Sequence, residues 1–182
     1  MAQSGVSELD VVNTAVAAAG FGLAAASLTW QSVTWRLSGS RAKAKVLKAA
    51  IQQTGTAYAT LPVDEPWEEV GKFANQGFTR KALFLRVINT GRQPAQVERW
   101  MVRFPGKVRV GELNSPLGPS LPHRLEVGAS ASWGIELETL MPMVKQLCEK
   151  RGKKSVKVCI EVELGHDKTI RTRRRARLHP RL

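Results

Sequence analysis

The sequence predicts a mainly β fold: an N-terminal transmembrane α-helix, then a β-sandwich with one inserted helix. Three observations predict it. Residues 11–35 carry no Asp, Glu, Lys or Arg, and they are followed at once by Arg36, Arg41, Lys43, Lys45 and Lys48. In residues 156–164, Val156, Val158, Ile160, Val162 and Leu164 alternate with Lys157, Cys159, Glu161 and Glu163, the period-two pattern of a strand with one buried face. Residues 131–138 repeat it, with Ala131, Trp133, Ile135 and Leu137 set against Ser132, Gly134, Glu136 and Glu138.

The 182 residues accordingly divide into a tail at 1–10, a span at 11–35 and one domain at 36–182, a length that suits a single core. As a helix rising about 1.5 Å per residue, the span reaches about 37 Å, enough for a hydrocarbon layer of about 30 Å. Its many alanines, with Asn13, Thr14, Ser27, Thr29 and Gln31, keep it weakly hydrophobic. Trp30 and Trp35 near its end compensate, because an indole has an apolar body and a donor tip that suit the headgroup level. Arg36 opens the basic flank, and the Lys/Arg excess on that side places it in the cytoplasm by the positive-inside rule. The expectation is a single-pass protein of the cell membrane with its N-terminus outside and its domain cytoplasmic. Glu8 and Asp10, in place of a basic leader, precede the apolar run, which is not the pattern of a cleaved signal peptide. Small residues at four-residue spacing (Ala18, Gly22, Ala26; Gly20, Ala24) would let two such helices approach, and so permit a homodimer through the span. Any Ala-rich helix shows that spacing, and a buried Ala-rich core helix of a soluble fold stays open as the alternative.

Within the domain, residues 42–51 read as a first strand. Residues 53–79 crowd Pro62, Asp64, Glu65, Pro66, Glu68 and Glu69 together and read as a long loop or insertion. Residues 81–89 form the next strand, which ends in the turn sequence Asn89-Thr90-Gly91-Arg92-Gln93-Pro94. Residues 95–104 follow as its expected hairpin partner. Their apolar phase shifts between Val97 and the set Trp100, Val102, Phe104, which predicts a bulge near Glu98 and Arg99. Shorter strands are expected over 107–113 and 121–127. A helix then has Thr139 as its N-cap, Pro142 in its first turn and an apolar face of Leu140, Met143, Val144, Leu147 and Cys148, with Gly152 ending it. With 169–178 added, about eight short strands make an immunoglobulin-like sandwich the closest architecture, with Trp100 and Trp133 in its core.

Several stretches together resemble a family of uncharacterised bacterial single-pass membrane proteins that carry one small immunoglobulin-like β-sandwich. They are Trp30-Gln31-Ser32-Val33-Thr34-Trp35-Arg36-Leu37-Ser38-Gly39, then Val87-Ile88-Asn89-Thr90-Gly91-Arg92, then Leu121-Pro122 with Leu125 and Gly128 before Trp133. The resemblance covers most of the chain outside 53–79. Its motifs are turn glycines, core tryptophans and an anchor boundary, so it implies fold and anchoring and carries over no catalytic or binding residue.

The net charge of +13 draws the chain to polyanions. In residues 169–178, Ile170, Thr172, Ala176 and Leu178 would share a strand face with Arg174, while Arg171, Arg173, Arg175 and Arg177 line the other. With Lys153 and Lys154, that row is the candidate contact for an anionic surface. The anionic headgroups of the cytoplasmic leaflet are the first partner it suggests, at about 1 kcal/mol per basic residue; an unidentified protein is a second. Basic residues also protect edge strands from unwanted pairing. Nucleic acid is not favoured, because the basic segment has no aromatic residue to stack on bases. A soluble nucleic-acid-binding protein, with the Ala-rich segment as its core helix, is the alternative reading.

No catalytic, cofactor-binding or metal-ligating residue is predicted. His123, His166 and His179 lie in separate contexts, with only His166-Asp167 adjacent, whereas metal sites need three or four convergent ligands. No nucleotide loop, nucleophile elbow or Cys–His pair is present. The two cysteines, Cys148 and Cys159, are too few for a disulfide scaffold, and sequence leaves open whether they pair.

Overall fold

The structure, a computed structural model, describes residues 8–38, 41–106, 108–111, 117–165 and 168–180, with side chains of the first stretch described from residue 11 to residue 34. The chain forms two compact units, residues 1–39 and 40–182. The first contains one helix, α1 (Glu8–Ser38), which extends beyond the expected span at both ends. Its stretch Val11–Thr34 has a mean hydropathy of 1.7 and is long and apolar enough to cross a membrane. Along it Phe21, Leu23 and Trp30 are 79%, 74% and 69% exposed. Thr29, one of the polar residues that dilute it, and Thr34 near its end bond within the helix. The Thr29 hydroxyl donates to the Ala25 carbonyl at 2.7 Å, and that of Thr34 lies 2.8 Å from the Trp30 carbonyl and 2.9 Å from that of Gln31. Such back-bonding lets a hydroxyl sit on an apolar helix without an unmet donor.

The second unit is mainly β. Its elements in order are β1 (Ala42–Gln52), β2 (Tyr58–Pro62), α2 (Trp67–Gly71) with a 3-10 turn at Lys72–Gln76, β3 (Phe78–Asn89), β4 (Ala95–Arg103), β5 (Arg109–Val110), β6 (His123–Leu125), β7 (Ser130–Glu136), α3 (Leu137–Arg151), β8 (Val156–Leu164), β9 (Lys168–Arg171) and β10 (Ala176–Leu178). Two antiparallel sheets result. The first runs β2-β1-β3-β7; the second has β8 and β4 at its centre, with β9 and β10 end to end on one edge and β5 and β6 on the other. Period-two alternation sends Leu83, Leu85 and Val87 of the first sheet and Val158, Ile160 and Val162 of the second into one buried cluster with Trp100 and Trp133. That shared cluster is the core.

Several expectations need correction. Residues 81–89 and 95–104 do not pair as a hairpin, because β3 lies in the first sheet and β4 in the second. The turn between them is a crossing, and buried Asn89 holds it. Its Nδ2 donates to the carbonyls of Gln93 (2.8 Å) and Leu125 (3.0 Å), and its Oδ1 accepts from the Gly91 N–H (3.0 Å). Residues 53–79 are not a loop: they hold β2, α2 and the 3-10 turn, and buried Trp67 donates from Nε1 to the Arg177 carbonyl of β10 at 3.2 Å. The crowded prolines and acids mask a core residue there. The strand over 131–138 ends at Glu136, where α3 begins, so the N-cap is Glu136 rather than Thr139 and Pro142 falls inside the helix. Gly152 does close α3, with φ of +58°. Of the strand expected over 107–113, Arg109–Val110 form β5, and residues 107 and 112–116 lie outside those described. The phase shift in 95–104 is a bulge: the β4–β8 register passes from Val97↔Leu164 to Arg99↔Glu163, skipping Glu98.

Cys148 and Cys159 are both free thiols. Cys148 packs in the core, whereas Cys159 alternates with core residues of β8. The backbone of one sheet therefore separates them.

Candidate functional site

Alternation along β8 places Lys157, Cys159, Glu161 and Glu163 on the outer face of the second sheet, because Val156, Val158, Ile160, Val162 and Leu164 occupy the core. Register then determines their neighbours. Met101 and Arg171 lie opposite Glu161, Arg103 opposite Cys159, Arg109 opposite Arg103, Arg99 opposite Glu163 and Arg177 opposite Lys157. Six basic side chains thus share these rows with two carboxylates, so the face is basic although β8 itself is not.

At the centre is Glu161, only 1% exposed although it lies on an outer face. Three arginines cover it. Arg103 Nη1 (2.5 Å) and Arg171 Nε (2.6 Å) donate to its Oε1, and Arg109 Nε lies 2.9 Å from its Oε2. The Arg109 contact is an ion pair without hydrogen-bond alignment, which leaves Oε2 without a donor. Burial by itself would push the Glu161 pKa up. The hydrogen bonds from Arg103 and Arg171 and the charges of Arg109 and Arg171 outweigh it and hold the carboxyl below its ordinary value. Among the described residues, three guanidinium groups around this one carboxylate leave two positive charges unbalanced. Beside this cluster, Arg99 pairs with Glu163.

The expected arginine row is broken. The strand stops after Arg171 and resumes at Ala176, so Arg171, Arg173, Arg175 and Arg177 do not form one ladder. Arg171 is engaged by Glu161, and Arg174 by Asp64. Arg173, Arg175 and Arg177 are exposed, as are Lys153 and Lys154 in the segment after α3. Trp30 is exposed on α1, whereas the side chains of Trp35 and Arg36 lie outside those described. Lys48, counted in the basic flank, instead faces inward with Val46 and Ala50. His123 packs edge to face on Trp133 at 5.7 Å, and the pair His166-Asp167 lies outside the described residues. Sequence reading missed Arg103, Arg109 and Glu161 as a cluster. The only signal was the outward phase of each, and their meeting depends on pairings between strands far apart in the chain.

The outer face of the first sheet carries a cavity of about 580 Å³ beside Tyr58, which stacks on Phe84 at 4.4 Å. Arg86 and the hydroxyls of Thr56, Thr60, Ser130 and Ser132 line it, with no carboxylate, histidine or cysteine among the described residues of its wall. Such a wall offers polar contacts.

Comparison with known proteins returns no match: no family model, no curated protein and no solved structure is similar to this chain.

Proposed function

We propose that this is a single-pass membrane protein, N-terminus outside, whose cytoplasmic domain is an immunoglobulin-like β-sandwich acting as a non-enzymatic binding or scaffolding module. The observation that carries the reading is the uncharged stretch Val11–Thr34, apolar enough to span and with no part of its apolar window buried. The nucleic-acid-binding alternative would instead pack this stretch as a core helix. Arg41, Lys43 and Lys45 follow the span directly and favour the cytoplasmic side for the domain.

In this reading the domain meets anionic partners, with the headgroups of the inner leaflet first among them. Arg173, Arg175, Arg177, Lys153 and Lys154 supply exposed surface charge, each adding about 1 kcal/mol when close to the bilayer. The test is alkaline-carbonate extraction of membranes from cells expressing the whole chain. Retention in the pellet is expected, since adsorption through charge alone does not survive that treatment; release into the supernatant would overturn the anchor.

A further inference from the structure

We infer that the outer face of the second sheet holds a site for a phosphoryl dianion, gripped by Arg103, Arg109 and Arg171 and organised from beneath by Glu161. The inference rests on the binding-module reading above, and it names the ligand chemistry of one face. Glu161 engages Arg109 and Arg171 through their inner Nε atoms and Arg103 through a single Nη. Among the described residues, Glu161 is the one side chain that Arg103, Arg109 and Arg171 engage, and its two oxygens cannot take all the donors of three guanidinium groups. A guanidinium presents five N–H donors in a fixed fork, so each arginine keeps donors facing solvent while its other side is fixed. The side chains of Arg103, Arg109 and Arg171 are 25%, 50% and 56% exposed, so all three can be reached from outside.

A charge-balanced structural pair would need one arginine, and the second and third repel it and each other. An incoming group of charge −2 neutralises the excess. A phosphate or phosphomonoester carries about that charge near neutral pH and, unlike a planar carboxylate, offers oxygens in three directions to three forks. The strands supply rigidity, since β4 and β9 flank β8 and β5 pairs with β4.

The experiment is isothermal titration of inorganic phosphate into the detergent-solubilised full chain, against sodium chloride of equal ionic strength. Saturable binding with one site is expected. Arg109→Gln should weaken it by about tenfold or more, and Arg109→Lys should weaken it too, because the charge remains and the fork is lost. Lys157→Gln removes a charge from the same face outside the cluster and should change affinity by less than about twofold. Should Arg109→Gln fail to fold, the Arg109→Lys comparison carries the test. No heat beyond that of chloride, or equal losses for Arg109→Gln and Lys157→Gln, would overturn the site. Short-chain phosphatidic acid and phosphatidylglycerol then identify the source. Phosphatidic acid that binds more tightly than inorganic phosphate and is displaced by it marks a lipid headgroup, whereas equal or weaker binding marks a soluble phosphate compound; both uphold the site. Because the chain is in detergent, the result stands or falls separately from the carbonate test of the anchor.

Discussion

Two buried ionisable residues show how this chain handles charge. Glu161 has more cationic partners than it needs, whereas Lys48, on the inward face of β1, donates to the Glu65 carbonyl and lies 5.0 Å from the centre of the Trp67 ring. Burial lowers the Lys48 pKa, and the nearby Glu68 and Glu65 charges only partly restore it. The two therefore act on stability in opposite pH ranges. A carboxylate with a depressed pKa contributes fully above the ordinary value of about 4.3, and the contribution is lost as pH falls through the folded value. A lysine with a depressed pKa costs stability at neutral pH, and that cost is relieved as pH rises from its folded pKa towards about 10.4. In urea unfolding of the full chain, Glu161→Gln should cost about 3 kcal/mol, by leaving three arginines around a neutral amide, and should flatten the acid limb. Lys48→Met should hold or raise stability, by up to about 1 kcal/mol, and remove the alkaline gain; a loss beyond about 2 kcal/mol would show that the ammonium is needed. Asn89→Ala should cost about 2–3 kcal/mol, since it strips three bonds from one buried crossing.

At the level of elements, α3 contains a local conflict. Pro142 is the sixth residue of Leu137–Arg151, where its ring lacks the N–H that would bond to the Glu138 carbonyl and crowds that same carbonyl. Pro142→Ala should raise the thermal midpoint, and an unchanged or lower midpoint would mean that the proline positions the helix. Reading Thr139 as the cap had hidden the conflict, because Thr followed by Pro three residues later looks like a helix start. Strand existence was legible wherever alternation was clean, as in 156–164, and so was the bulge at Glu98, because a phase slip is itself a pattern. Sheet membership was not legible. Asn89 to Pro94 has turn chemistry that suits both a hairpin and a crossing, and only the side-chain bonds of Asn89 to Leu125 and Gln93 decide between them. The same limit hid the site. Arg103, Arg109, Glu161 and Arg171 each showed an outward phase, but pairing across some 60 residues is tertiary information.

For the molecule as a whole, the two cysteines offer a native readout of topology. Cys159 is half-buried on an outer face and Cys148 is in the core, so a membrane-impermeant maleimide should leave intact cells unlabelled and react at Cys159 after permeabilisation; labelling of intact cells would reverse the proposed orientation. The segmented borders of the second sheet have a further consequence. Among the described residues, each border is two short pieces, β9 with β10 and β5 with β6, and neither of these presents a long uninterrupted row of free backbone groups to a neighbour. Proteins confined to a bilayer meet at far higher local concentration than in solution. In the proposed anchored state, a domain with borders of this kind can crowd laterally with its copies without that sheet extending from one molecule into the next.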